Sequence, residues 1–229
     1  MRQPPQCGWS TSEGQSVRNP RLTPYPASSA VQKQVLVLAC GALAHEIEAL
    51  KSLNDWRHLH VKCLDAALHN RPQLIPAKLG QQIARYRDRY RQIFVAYADC
   101  GTGGEIDKLL ATEGIQRLPG AHCYAVFAGE PTFSQLSSEE PGTFYLTDFL
   151  ARHFQRLVVK GLGLDSHPEL REDYFGNYQR LVYLSQLEDE KNLEAARAAA
   201  AFLALAFEHR HCGYGELAVS LRRQLIASA

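Results

Sequence analysis

Several things are scarce in this 229-residue sequence, and each absence removes a class of explanation. Charge of one sign is not in surplus: 25 Lys and Arg face 24 Asp and Glu, a net +1. A main partner of nucleic acid or anionic membrane calls for a basic excess, so neither is expected. Long apolar runs are missing too. The nearest, Ala198 to Phe207, is Ala-rich and far short of the ~20 residues that span a bilayer. The N-terminus, MRQPPQCGWSTSEGQ, has no apolar signal-peptide core. The expected compartment is therefore the cytoplasm, where thiols stay reduced. Six cysteines (Cys7, Cys40, Cys63, Cys100, Cys123 and Cys212) are too few for a disulfide scaffold of this length. No Cys-x-x-Cys pair occurs, which excludes an ordinary zinc ribbon. Gly-x-Ser-x-Gly is also absent, which argues against a hydrolase elbow.

What is present has a rhythm. Residues 1–33 hold five of the eleven prolines and no Ile or Phe, a composition that reads as a disordered tail. From residue 34 to 229 apolar strands alternate with helical segments, with a break into two lobes allowed near 130–155. Val35–Ala39, Leu59–Leu64, Gln92–Ala98, His122–Gly129 and Arg180–Gln186 read as strands, and LALAFEHR as a last one. Helical spacing follows several of them, and Phe144–Leu157 reads mostly as helix. This alternation predicts an α/β fold, Rossmann-like, with a mainly parallel sheet flanked by helices. Ala39-Cys40-Gly41 and Asp99-Cys100-Gly101 each end a strand and precede a helix, an echo compatible with a duplicated βα unit.

Ligands of open parallel sheets sit beyond the carboxyl ends of the strands. Cys40 and Cys100 are both placed there, next to helix N-termini that favour thiolate. If the first and third strands are neighbours, the two sulfurs approach one another. Thiolate ligates metal or attacks electrophiles, whereas a bland alternative is two small buried residues. The loop Asp99–Gly104, with Gly101, Gly103 and Gly104, can approach a bound ligand closely, although it is neither a Walker loop nor GxGxxG. His122 and Cys123 follow one another, and on a strand only one of them enters a given site. His69 in a post-strand loop and Asp148 are further polar groups that can border a ligand. His209 and His211, before Cys212, have metal-binding character but also suit an exposed strand. Arg85–Arg91 interleaves bases with tyrosines and reads as a solvated helix face.

Taken in order, Ala39–Leu43, Leu68–Pro76, Tyr97–Gly103, Pro119–Gly129 and Gly142–Thr147 resemble an uncharacterised prokaryotic family, domain of unknown function family 1638, over roughly residues 35–210. The resemblance implies a cytoplasmic α/β protein associated with corrinoid-dependent methyltransferase systems, hence a role in one-carbon methyl transfer. Its pattern reads His-Asp-Cys where this chain has His122-Cys123-Tyr124, so Cys40, Cys100 and His122 match by position and Cys123 is shifted by one.

The first expectation is a metal- or metallocofactor-binding protein, with Cys40 and Cys100 as ligands and His122 or Cys123 as a third. Zinc suits mixed sulfur and nitrogen ligands; an iron–sulfur cluster or corrinoid ranks lower. The alternatives are a metal-free enzyme with Cys40 or Cys100 as nucleophile and His122 or His69 as base, or an accessory module that binds a corrinoid protein or a small-molecule ligand.

Overall fold

Two parallel sheets, rather than one, organise the chain. The computed structural model describes residues 34–226, so the expected tail of residues 1–33 and Cys7 lie outside the described residues. The first half runs β1 (Val35–Cys40), a 3-10 turn (Gly41–Leu43), α1 (Ala44–Leu53) and β2 (Leu59–Leu64). Two further 3-10 turns (Ala66–Asn70 and Pro72–Leu74) lead into α2 (Ile75–Tyr86), β3 (Gln92–Ala96), α3 (Glu105–Glu113) and the two-residue β4 (Gln116–Arg117). The strand order is β2-β1-β3-β4, all parallel. β1 is central, and every residue of VLVLAC is buried. That is why it reads as a continuous apolar run: a strand covered on both faces has no solvent side to alternate with. α2 presents Ile75, Leu79 and Ile83 to this core at four-residue spacing and leaves its other faces to solvent.

The order of strands fixes where a ligand can go. From β1 the chain steps outward to β2, then returns to lay β3 on β1's other edge. The carboxyl ends of β1 and β3 therefore flank a topological switch point, where the following loops diverge and leave a crevice. Cys40 ends β1, and Cys100 lies four residues beyond β3.

After α4 (Cys123–Ala128) and α5 (Glu130–Glu139) comes the second sheet. It is built from β5 (Thr143–Thr147), α6 (Asp148–Arg152), a π turn (Gln155–Val159), α7 (Leu170–Phe175), β6 (Arg180–Ser185), α8 (Glu190–Leu203) and β7 (Ala206–His211). Its order is β5-β6-β7, again parallel. The last helix, α9 (Gly215–Ile226), turns back to the first half, where Leu217 and Leu221 join the core around β1 and β3. The described residues contain no helix long and apolar enough to cross a membrane.

Two sequence expectations are corrected. His122–Gly129, expected as a strand, is helix α4 preceded by His122 in extended backbone. A six-residue apolar run is ambiguous between strand and helix on periodicity. Here consecutive Ala125, Val126 and Phe127 are buried because α4 is wedged against α5 and α9. Phe144–Leu157, expected mostly as helix, begins as strand β5. Its Phe-Tyr-Leu-Thr segment suits a pleated, buried position, and pairing with β6 overrides the helical spacing downstream.

Candidate functional site

The switch-point crevice is lined with sulfur. Cys40 leaves β1 and caps the 3-10 turn, its Sγ accepting a hydrogen bond from the Ala42 amide at 3.3 Å. Gly41 follows because there is no room for more: a Cβ there would lie 2.9 Å from the Leu64 carbonyl oxygen. In the loop after the neighbouring strand β3, Cys100 adopts a left-handed backbone at φ +52°, a conformation unusual for a residue with a side chain. The amides of Asp99 and Cys100 donate to the carbonyls of Gly120 and Ala121 at 3.1 and 2.8 Å. Those bonds fasten the loop to the segment that opens α4, and so bring Cys123 to Cys100.

His69, on the 3-10 turn after β2, closes the cluster. Its Nδ1 lies 3.0 Å from the Ala66 carbonyl, which can only accept, so Nδ1 carries a proton; it is also 3.7 Å from Cys40 Sγ. The ring stacks on Tyr97 with centroids 6.2 Å apart, and also hydrogen-bonds with Cys100. Tyr97 is 1% exposed, and its hydroxyl has no well-aligned hydrogen-bond partner, although it reaches toward the Cys40 sulfur.

These contacts set the protonation pattern. The Cys123 S–H donates to Cys100 and is the largest cause of a Cys100 pKa lowered to about 5. Burial opposes that shift, while the hydrogen bond and charge of His69, and the charge of His122, add to it. Burial alone would lower the His69 pKa, but hydrogen bonds with Cys100 and Cys40 and the charge of both sulfurs outweigh it and carry the pKa up to about 11. The resting pair is thus a Cys100 thiolate and a His69 imidazolium. Cys123 is pushed the other way, well above an ordinary thiol, because it donates to Cys100 and is buried. Burial and the nearby negative sulfurs likewise raise Tyr97, which stays a neutral phenol.

Beside the cluster opens a cavity of about 250 Å³. His69, Asn70 and Cys123 border one end. Phe144, Leu150, Val158 and Phe175 from the second half form the other. Cys123 therefore faces the cavity, with Cys100 behind it at 6% exposure.

The remaining expected site residues fall in several places. His122 is exposed, stacked on Tyr124, and touches the cluster only through its charge on Cys100. On the helix actually formed, the strand rule that only one of His122 and Cys123 faces inward no longer applies, and it is Cys123 that does. The amides of Gly103 and Gly104 are turned to Asp99, donating to its two carboxylate oxygens at 3.0 and 2.8 Å. Gly101 instead packs near Pro72. These glycines build the turn that holds Cys100. Asp148 is fully buried and accepts from Tyr183, Gln186 and Leu187, which fastens β5 to β6. His209 and His211 both hydrogen-bond the Ser185 hydroxyl, at 2.9 and 3.1 Å, on the second sheet and apart from the thiols. Tyr97 and the apolar wall are not among the site residues that the sequence suggests. A tyrosine within the otherwise apolar QIFVAYA run was the available signal for the first; the wall comes from segments far along the chain, and nothing local marks it. Among the described residues, no group of three or more His, Cys, Asp or Glu side chains is arranged to hold a metal ion.

The family model described as protein of unknown function DUF1638 matches residues 63–221, more than half of the chain. No curated protein and no solved structure matches it.

Proposed function

The chain belongs to the DUF1638 family, and from that premise we propose that it is a thiol enzyme whose Cys123 attacks a small electrophile in the apolar cavity. The observation that carries this reading is the arrangement of Cys123, Cys100 and His69. The first faces the cavity, the second accepts its proton, and the third is held against the second. This is the usual architecture of an activated nucleophile: an attacking group, a base within hydrogen-bond reach and a third group that orients the base. The two sulfurs share one proton: when it sits on Cys100 the charge is on Cys123 Sγ, and this minor form attacks the substrate carbon. The negative charge then resides on the leaving group. His69, as the imidazolium, stabilises the charge on Cys100 before attack and is a proton source for the leaving group afterwards. The left-handed Cys100 supports the assignment, since strain at a non-glycine residue is tolerated where a specific side chain is needed.

The metal reading rests on donor chemistry. Three thiols and an imidazole suit a thiophilic ion, but the sulfurs are hydrogen-bonded to one another and to His69, with no three donors set to hold an ion. A cavity of about 250 Å³ is likewise below the ~300–1,000 Å³ of drug-sized ligand sites and far too small to enclose a corrinoid.

Mass-spectrometric mapping of iodoacetamide labelling in the full chain tests the proposal. In each labelling event a sulfur–carbon bond forms and iodide leaves. Labelling of Cys123 should climb through pH about 5 and then level, because above that pH the pair holds a single shared proton and the fraction of it in which Cys123 carries the charge is constant. Cys100→Ser should slow that labelling at least tenfold at neutral pH. Labelling of Cys123 that is indifferent to Cys100→Ser would sink the proposal. So would about one metal ion per chain, retained through chelator-free purification and lost in Cys40→Ser and Cys100→Ser.

A further inference from the structure

The cavity's lining says more than that a ligand fits. None of the side chains lining it is Asp, Glu, Lys or Arg. Apart from His69, which is engaged by the thiols, nothing there can neutralise a phosphate, carboxylate or ammonium group, and burying one unpaired is costly. Its far wall includes Leu157 and Val158 of the π turn, a geometry that is rare and concentrated at functional sites. The near end offers Asn70, whose side-chain amide can donate to a carbonyl oxygen. In size, about 250 Å³ exceeds the ~150 Å³ void that takes up benzene and falls short of drug-sized pockets. One ring with a short chain, or a short branched chain, fills it.

We infer that the substrate is a neutral acyl compound, an ester or thioester, whose hydrocarbon tail lies among Phe144, Leu150, Val158 and Phe175 while its carbonyl carbon meets Cys123. This rests on the thiol-enzyme reading above and adds the substrate class. In the acylation step the Cys123 sulfur–carbon bond forms and the bond from the carbonyl carbon to the leaving oxygen or sulfur breaks. The leaving group departs with the electron pair, and the Cys123 proton moves to Cys100. Water then attacks the acyl carbon and the carbon–sulfur bond breaks: the carboxylic acid leaves, Cys123 takes back its proton from Cys100, and a proton of the water replaces the one that His69 gave to the leaving group.

Two measurements on the full chain separate the substrate class from the thiol chemistry. The first is calorimetric binding of 4-phenylbutyramide and of 4-phenylbutyrate, neither an acylating agent, to the wild type and to Cys123→Ser. The amide should bind at least tenfold more tightly than the carboxylate in both proteins, and should slow iodoacetamide labelling of wild-type Cys123. Equal binding of the two, no binding of either, or binding that leaves the labelling rate unchanged overturns the inference. The second is p-nitrophenolate release from the 4-phenylbutyrate ester of p-nitrophenol. A burst of about one equivalent per chain, absent in Cys123→Ser, is expected, and it should be at least tenfold faster than with the p-nitrophenyl monoester of glutaric acid, which carries a carboxylate. Selective amide binding without a burst would leave the neutral-ligand cavity standing and remove the nucleophile. A burst of equal rate with both esters would do the reverse.

Discussion

A proton has moved from sulfur to nitrogen in the resting site, and the consequence at the scale of the residue is a pH signature. Cys100, with its pKa lowered to about 5, contributes stability that is complete above the ordinary thiol pKa and is lost as pH falls through about 5. His69, raised to about 11, contributes stability that is complete below the ordinary imidazole pKa and is lost as pH rises through about 11. Between roughly pH 6.5 and 8.5 the folded pair and the unfolded pair hold the same number of protons, so the combined term is flat there. It should decline on both sides. The difference in melting temperature between the wild type and Cys100→Ser, followed from pH 4.5 to 10, is expected to be a plateau with two falling shoulders; a difference that does not vary with pH would refute the ion pair. Removing the donor, by Cys123→Ala, deprives the Cys100 thiolate of its largest stabilising contact. Spectrophotometric titration of thiolate absorbance near 240 nm should then show a midpoint above about 5, as checked against Cys100→Ser.

At the scale of the element, the site depends on how closely β1 and β2 are joined at their carboxyl ends. Gly41 packs where a Cβ would meet a backbone oxygen that cannot swing away. Gly41→Ala is therefore expected to destabilise the fold by about 1–3 kcal/mol, as overpacking does. Because the same turn carries the cap formed by Cys40 Sγ, the substitution should also alter the labelling rate of Cys40; denaturant unfolding and thiol mapping on one sample check both. Strands of this kind were legible in the sequence. VLVLAC and the IFVA of β3 are apolar throughout because parallel strands are covered on both faces, and the Cys-Gly pairs that follow at Cys40 and Cys100 mark the carboxyl ends near which the thiols lie. The approach of Cys40 and Cys100 is conditional, in the sequence, on the first and third strands being neighbours, and β1 and β3 are paired. Less was legible where local pattern and packing disagree. The run CYAVFA has no period long enough to distinguish helix from strand, and α9, nearly ninety residues later, helps decide it. Phe144–Thr147 lies beside a helical pattern and takes its conformation from β6. The apolar wall of the cavity joins β5, the π turn and α7, so no sequence window contains it.

At the scale of the whole molecule, the two halves meet at a buried carboxylate. Glu46 of α1 is 1% exposed, neither of its oxygens has a well-aligned hydrogen-bond partner, and Arg152 of α6 approaches it at 3.6 Å. Burial raises its pKa, opposed by a backbone hydrogen bond and by Arg152. Such a group favours folding only below the ordinary carboxylate pKa and weakens it as pH rises through the elevated value. Glu46→Gln should therefore raise the melting temperature at pH 7, with the gain shrinking toward pH 4, whereas Arg152→Ala should lower it. The opposite sign at neutral pH would mean that the ion pair outweighs its desolvation. A separate consequence follows from α9. Leu217 and Leu221 complete the core around β1 and β3, although those strands are made first. During synthesis at roughly 5–20 residues per second, the first sheet must wait with an uncovered apolar face until α9 has left the ribosome. Nascent chains stalled before residue 215 are thus the form of this protein most exposed to aggregation, and the stage at which a chaperone has the most surface to hold.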